Sequence, residues 1–217
     1  MAAKNSKRNK PPDVPPQGLA RMAPTQQRSR ERFERILDCA TSVMAEKGSE
    51  AFRMSDIVER TGVPFGSLYQ YFPDKTAIIG TLAERYNAVG RVCVQKELAT
   101  VKTAKDLHPA LCRIVDGFYQ MYVDEPVMRD IWQATQADRT LQKLDDDDGI
   151  FLSGLLSDAL ERVTPRADAH ALAAFSQLTM TLIAAAVRQA ITLPTKDAER
   201  VLTLFKLILP KRLPALA

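Results

Sequence analysis

Histidine is almost missing from this 217-residue chain, which carries two copies, and cysteine is scarce, with three. The two histidines, His108 and His170, belong to no recognisable nucleophile–base arrangement, so no catalytic residue is assigned. Cys39, Cys93 and Cys112 are odd in number, show no C-x-x-C spacing and each fall within an apolar helical pattern. That usage fits small reduced thiols in a cytoplasmic protein rather than a disulfide framework. His108 and Cys112 share a helix face at four-residue spacing, but a zinc site needs further thiol or imidazole ligands, so no metal or other cofactor is expected. No stretch alternates with strand period, which leaves an all-α protein. The N-terminus lacks an apolar h-region, so a secretory signal is not expected. One apolar run, Ala171 to Leu193, approaches membrane-spanning length. Ser176, Gln177, Thr179, Thr181, Arg188 and Gln189 interrupt it, a pattern costly in lipid and normal in a buried bundle helix, so no membrane span is expected.

Net charge is also absent from most of the chain. Residues 76–217 carry 17 basic and 17 acidic side chains, while residues 1–75 carry 13 and 9, so the whole formal charge of +4 lies in the first third. A one-ended positive balance suits a protein that neutralises phosphate at that end. Residues 1–24 are rich in Lys, Arg, Pro and Asn with few apolar pairs, and are expected to be a disordered basic tail.

Apolar residues recur at helical spacing through the remainder. Phe33, Ile36, Leu37, Ala40, Val43 and Met44 form one stripe of a helix from about Thr25 to Lys47, ended by Gly48. Asp74 can cap a long helix carrying Ile78, Ile79, Leu82, Tyr86, Val89 and Cys93. Further helices are expected over Asp106–Asp124, Val127–Ala137, Ile150–Val163, Ala167–Thr192 and Lys196–Leu209, with Pro126, Pro165 and Pro194 marking breaks. The four acids Asp145 to Asp148 lack the spacing of a calcium loop and read as a solvated loop ahead of the next helix.

Met54 to Lys75 is the most informative segment. Ser55 can cap a first short helix, Ile57 and Val58 lie on its inner side, and Gly62 can end it in left-handed backbone. Pro64 suits the start of a second helix, roughly Phe65 to Phe72, rich in Gly, Ser, Tyr and Gln. Two short helices hinged this way form a helix-turn-helix, whose second helix enters the DNA major groove.

The run Gly62, Gly66, Ser67, Leu68, Tyr69, Tyr71, Phe72 and Lys75 resembles the recognition-helix signature of the TetR family of transcriptional regulators. The likeness extends over about Arg28 to Tyr86. It implies a three-helix DNA-binding domain at residues 25–75, a linking helix over 75–98, and a ligand-binding and dimerisation domain over 99–217, about nine helices in all. It also implies that Lys75 contacts phosphate. The residue chemistry adds Tyr69 and Tyr71 as phenol donors, with core packing the alternative for the tyrosines, Ser67 to backbone or base, Gln70 to adenine, and Gly66, after Pro64, for close approach. Two positions depart from the family pattern. Arg53 stands where a Thr that caps the helix and bonds phosphate is common; arginine can still bind phosphate, and the cap then comes from Ser55 or from nothing. Phe65 replaces a position often small or basic, and either meets a thymine methyl or packs.

The resemblance further implies a palindromic double-stranded DNA operator, a homodimer through the helices near 167–192 and 196–209, and a small apolar or aromatic effector. Phe118, Tyr119, Tyr122, Met128, Trp132 and Phe175 could wall its pocket, or be ordinary core. The expected function is a ligand-released repressor. The alternatives are a DNA-binding dimer without an effector and an enzyme on a helical bundle.

Overall fold

A computed structural model describes residues 27–211; the basic tail expected over 1–24 lies outside the described residues. Within them the chain forms nine α-helices and one 3-10 turn. The apolar stripe of α1 (Gln27–Ala51) is fully buried, and the helix is broken by Gly48, whose φ of 79° and ψ of 162° lie outside helical space. After α2 (Met54–Thr61), Gly62 takes a φ of 67° and returns its N–H to the Val58 carbonyl, the left-handed cap its sequence position predicts. Pro64 precedes α3 (Phe65–Tyr71) in extended backbone rather than entering its first turn. Asp74 caps α4 (Lys75–Leu98) by accepting from Ala77 N–H at 2.8 Å.

A 3-10 turn (Ala104–Asp106) leads into α5 (Leu107–Asp124), and Pro126 separates it from α6 (Val127–Ala137). Helices α7 (Arg139–Val163), α8 (Ala169–Ala190) and α9 (Thr195–Ile208) complete the chain. The α7 helix begins eleven residues before its expected start at Ile150, because Asp138 caps it by accepting from the N–H groups of Thr140 and Leu141. The acidic run therefore lies inside a helix and is not a loop. Asp148 is buried and takes the Arg91 Nε–H at 2.5 Å, while Arg91 also reaches Glu84 at 2.9 Å.

Two apolar cores result. The first joins the α1 stripe to Phe52, Ile57, Leu68 and Phe72, the N-terminal half of α4, Val127 and Ile131 of α6, and Leu141 of α7. The second packs Val94 and Leu98 against α5, α7, α8 and α9. Helix α4 thus runs through both, and the core beneath the helix-turn-helix reaches past residue 75 to α6. Arg85 of α4 also clasps Glu34 of α1 through both carboxylate oxygens, at 2.5 and 2.8 Å.

Desolvation pushes Asp148 up from its ordinary 3.8 to about 6, against the opposing pull of Arg91. A carboxyl whose folded pKa is raised binds its proton more readily in the folded state. The resulting stability is full below about pH 4 and is lost as pH rises through about 6. Denaturant unfolding between pH 4 and 7 should show this loss, on the order of 2–3 kcal/mol. Asp148→Asn, which cannot titrate, should flatten that part of the curve.

Candidate nucleic-acid interface

Helix α3 is seven residues long, and its 3.6-residue period divides its tyrosines. Leu68, Tyr71 and Phe72 turn inward, with Tyr71 only 5% exposed. Tyr69 points outward at 42% exposure and Phe65, one turn earlier, at 47%. Their rings stack at 6.1 Å with 18° between planes. Pro64, Gly66 and Gln70 share this open face, and Ser67 is half-buried at its edge. Gly66 has helical backbone, and a Cβ added there would meet no atom within 4 Å, so the fold itself does not demand glycine at this position.

Tyr71 departs from its expected place on the outward face. Three residues after Leu68, it repeats that inward orientation, and its ring meets Phe33 edge-on at 5.9 Å. Its hydroxyl lies 2.6 Å from Ser29 Oγ, tying α3 to the start of α1. Tyr71→Phe should cost about 1 kcal/mol of stability, measured by denaturant unfolding. Its effect on DNA affinity should be smaller than that of Tyr69→Ala.

Ser55 does not cap α2. It is the second residue inside that helix, and the cap position belongs to Arg53, whose side chain accepts no hydrogen bond. Asp56 instead reaches back to accept the Arg53 N–H at 2.7 Å. Lys47 donates to the same carboxylate at 2.8 Å, and these bonds hold it below the usual range. The Arg53 side chain is left exposed and uncommitted to its own helix.

One shallow groove gathers several of these groups. Glu50, Phe52, Arg53, Met54, Tyr69, Pro73, Asp74 and Lys75 line it where the end of α1, the starts of α2 and α4, and the side of α3 converge. Lys75 is held in it, with Nζ 3.5 Å from the Ser49 carbonyl and 3.4 Å from that of Glu50. Of the two acids on the rim, Asp74 is already engaged by the Ala77 N–H. Arg53, Tyr69 and Lys75 then present two cations and a phenol beside the N-terminus of α4, an arrangement that suits a phosphodiester.

The residues expected to wall an effector site divide. Phe118, Tyr119, Tyr122 and Phe175 pack against the second core, and Phe118 stands opposite Gly90 of α4. Met128 is buried at the start of α6. Trp132 is half-buried, with the Arg188 guanidinium 5.2 Å from its ring centroid. Arg188 is the member of this group that apolar periodicity did not suggest. Its signal in the sequence is a lone cation inside an otherwise apolar helix. The pair His108 and Cys112 also lies side by side at 3.8 Å, with His108 Nε2 donating to the Lys206 carbonyl at 3.0 Å.

Comparison with known proteins places two family models end to end. The model for bacterial regulatory proteins of the tetR family matches residues 36–82, and the tetracyclin repressor-like C-terminal domain matches 105–217. Among curated proteins, the chain is similar to the HTH-type transcriptional repressor KstR of Mycobacterium tuberculosis, 32% identical over 85 residues that cover 36% of this chain and 39% of that protein. It is also similar to the uncharacterized HTH-type regulator YvdT of Bacillus subtilis, 42% identical over 53 residues, 24% of this chain and 27% of that one. The chain thus matches less than two fifths of the length of either relative. Solved structures extend the likeness to the fold as a whole. A TetR-family regulator from Pectobacterium atrosepticum superposes with a TM-score of 0.65 at 18% identity, over 88% of this chain and 98% of its own. The SmeT–triclosan complex does so at 0.60 and 18%, over 82% and 90%.

Proposed function

Because the chain belongs to the TetR family of transcriptional regulators, we propose that it is a repressor that binds an inverted-repeat operator as a homodimer and leaves it when a small molecule occupies its C-terminal helices. The observation that carries this is the outward face of α3. Phe65 and Tyr69 stand exposed on a helix whose other side is locked into the first core, with Arg53 and Lys75 beside them. Phe65, Tyr69 and Gln70 would meet base edges, Phe65 and Tyr69 through thymine methyls and Gln70 through adenine. Arg53, Ser67 and Lys75 would hold phosphate and sugar, with Gly66 and Pro64 leaving room for the backbone to approach. Repression follows the naming of the KstR relative.

The dimer reading rests on unburied apolar surface. Helix α8 is long and apolar, yet only 33% of its most apolar window is buried. Leu178 and Leu182 of α8 and Leu204, Leu207 and Ile208 of α9 are all exposed in the protomer. Two such faces pressed together would bury them in a four-helix contact.

Release by an effector needs only that ligand and DNA favour different conformers. Helix α4 is packed into both cores and α6 into the first, so a shift among α5 to α8 reaches the reading head through rigid elements. A protein of the same fold, SmeT, forms a complex with triclosan, which supports a small-molecule effector for this chain.

The experiment that tests DNA binding itself is a titration of mixed-sequence duplex DNA at two salt concentrations. Affinity that falls steeply as salt rises supports the reading. Binding that is absent at low salt overturns it.

A further inference from the structure

Among the described residues, two buried side-chain polar atoms lack any hydrogen-bond partner: the Trp132 indole Nε1 and the Ser176 hydroxyl. A buried N–H without an acceptor costs free energy, on the order of 1–3 kcal/mol. An acceptor from outside the protomer, a water or a ligand, is one explanation for such a group. Ser176 is twelve residues from Arg188 along α8, about 18 Å at helical rise, so it belongs to another level of the bundle. Trp132 has a more telling neighbour.

That neighbour is Arg188. Its guanidinium lies over the Trp132 ring at 5.2 Å, and it is half-buried. Every ion pair among the described residues leaves it out. An arginine removed from water in this way ordinarily faces a carboxylate. Asp145, the acid whose charge acts on Tyr122 alongside that of Arg188, accepts instead from the Gln136 amide at 3.1 Å. The Tyr122 phenol feels both of these charges. Burial pushes its phenol up to about 12, with the Arg188 charge pulling the other way and Asp145 adding to the rise, so it stays a protonated O–H donor in ordinary buffers.

The pair also spans the two cores. Trp132 follows Ile131 of the first core, and Arg188 follows Val187 of the second. A ligand held at this pair would press on α6, which packs against α1 beneath the reading head.

We infer that Arg188 and the Trp132 indole N–H form the recognition end of a site for an organic carboxylate with an apolar body. A carboxylate has two oxygens, so one can take the guanidinium and the other the indole N–H. A cationic ligand is excluded from the indole face because Arg188 already occupies it. An uncharged ligand would gain nothing from the Arg188 charge. This deepens the effector role proposed above and rests on it for its regulatory meaning, though the binding site stands or falls separately.

Trp132 is the only tryptophan, so its emission reports on the site directly. The full chain would be titrated with 4-phenylbutyrate and decanoate, and with the matching alcohols 4-phenylbutan-1-ol and decan-1-ol. Trp132 fluorescence and melting temperature would be followed, and duplex DNA affinity measured in parallel. The expected result is a saturable change with at least one carboxylate, at least tenfold weaker with its alcohol. Arg188→Gln should weaken carboxylate binding tenfold or more and leave alcohol binding unchanged. Equal affinity for acid and alcohol, no saturable response to either carboxylate, or an unchanged carboxylate affinity in Arg188→Gln overturns the inference. Carboxylate binding that leaves DNA affinity untouched upholds the site and removes the effector role. DNA release by the alcohols, undiminished in Arg188→Gln, keeps the effector role and overturns the carboxylate site.

Discussion

Leu182→Glu combined with Leu204→Glu should separate the protein into monomers and remove measurable operator binding. Leu182 is 47% exposed on α8 and Leu204 58% exposed on α9, so neither change disturbs the protomer's own core. In a dimer built on these faces, both positions would be shielded from water. Two carboxylates per chain would then sit in an apolar contact without partners, a cost of several kcal/mol for each subunit. Losing the dimer also loses the gain of tethering two reading heads, on the order of 10²- to 10⁴-fold in affinity. Sedimentation velocity and fluorescence anisotropy on one operator duplex would measure both effects. The variant should keep the helical circular dichroism of the parent. If it remains dimeric with full affinity, the contact lies elsewhere on the molecule.

Lys75→Ala should weaken operator binding roughly tenfold or more at low salt and lower the salt slope by about one for each half-site. The reason is its placement: Nζ lies near the Ser49 and Glu50 carbonyls in a groove shared with Arg53 and Tyr69. A cation held there has a fixed position, so its loss is not made up by a neighbouring side chain. Tyr69→Ala removes an exposed ring and should also weaken binding, with a smaller change in salt slope because the phenol carries no charge. Both residues lie outside the buried core, so the melting temperature should stay within a few degrees of the parent. Full affinity in both variants would take the groove out of the interface.

How much of the structure is legible in the sequence follows from how local each signal is. The left-handed turn at Gly62 and the cap at Asp74 depend on one or two residues, and both stand in the structure as expected. The longer helices follow from apolar period, save that α7 starts eleven residues before Ile150. Tyr69 and Tyr71 need more. Both belong to the same motif, yet their two-residue separation turns them about 200° apart on a helix, and only Leu68 shows which of them faces inward. Ser55 misleads because a capping residue type stands two positions past the cap, where the N–H groups its hydroxyl could reach are already bonded within the helix.

Long-range pairing lies out of reach of such signals. Four consecutive acids suggest solvent, and Asp148 is buried only because Arg91, 57 residues earlier, meets it across α4 and α7. The meeting of Trp132 with Arg188 is of the same kind. The α6 contribution to the first core is equally hidden, since an amphipathic helix shows that it is buried and not what covers it.

Selection of binding sites from a random duplex pool, read at two salt concentrations, tests the central claim most directly. The account predicts recovery of one inverted repeat whose half-sites are centred a whole number of helical turns apart, enriched more strongly as salt rises and nonspecific binding falls away. Recovery of no common sequence, with all retained DNA lost at the higher salt, would contradict it.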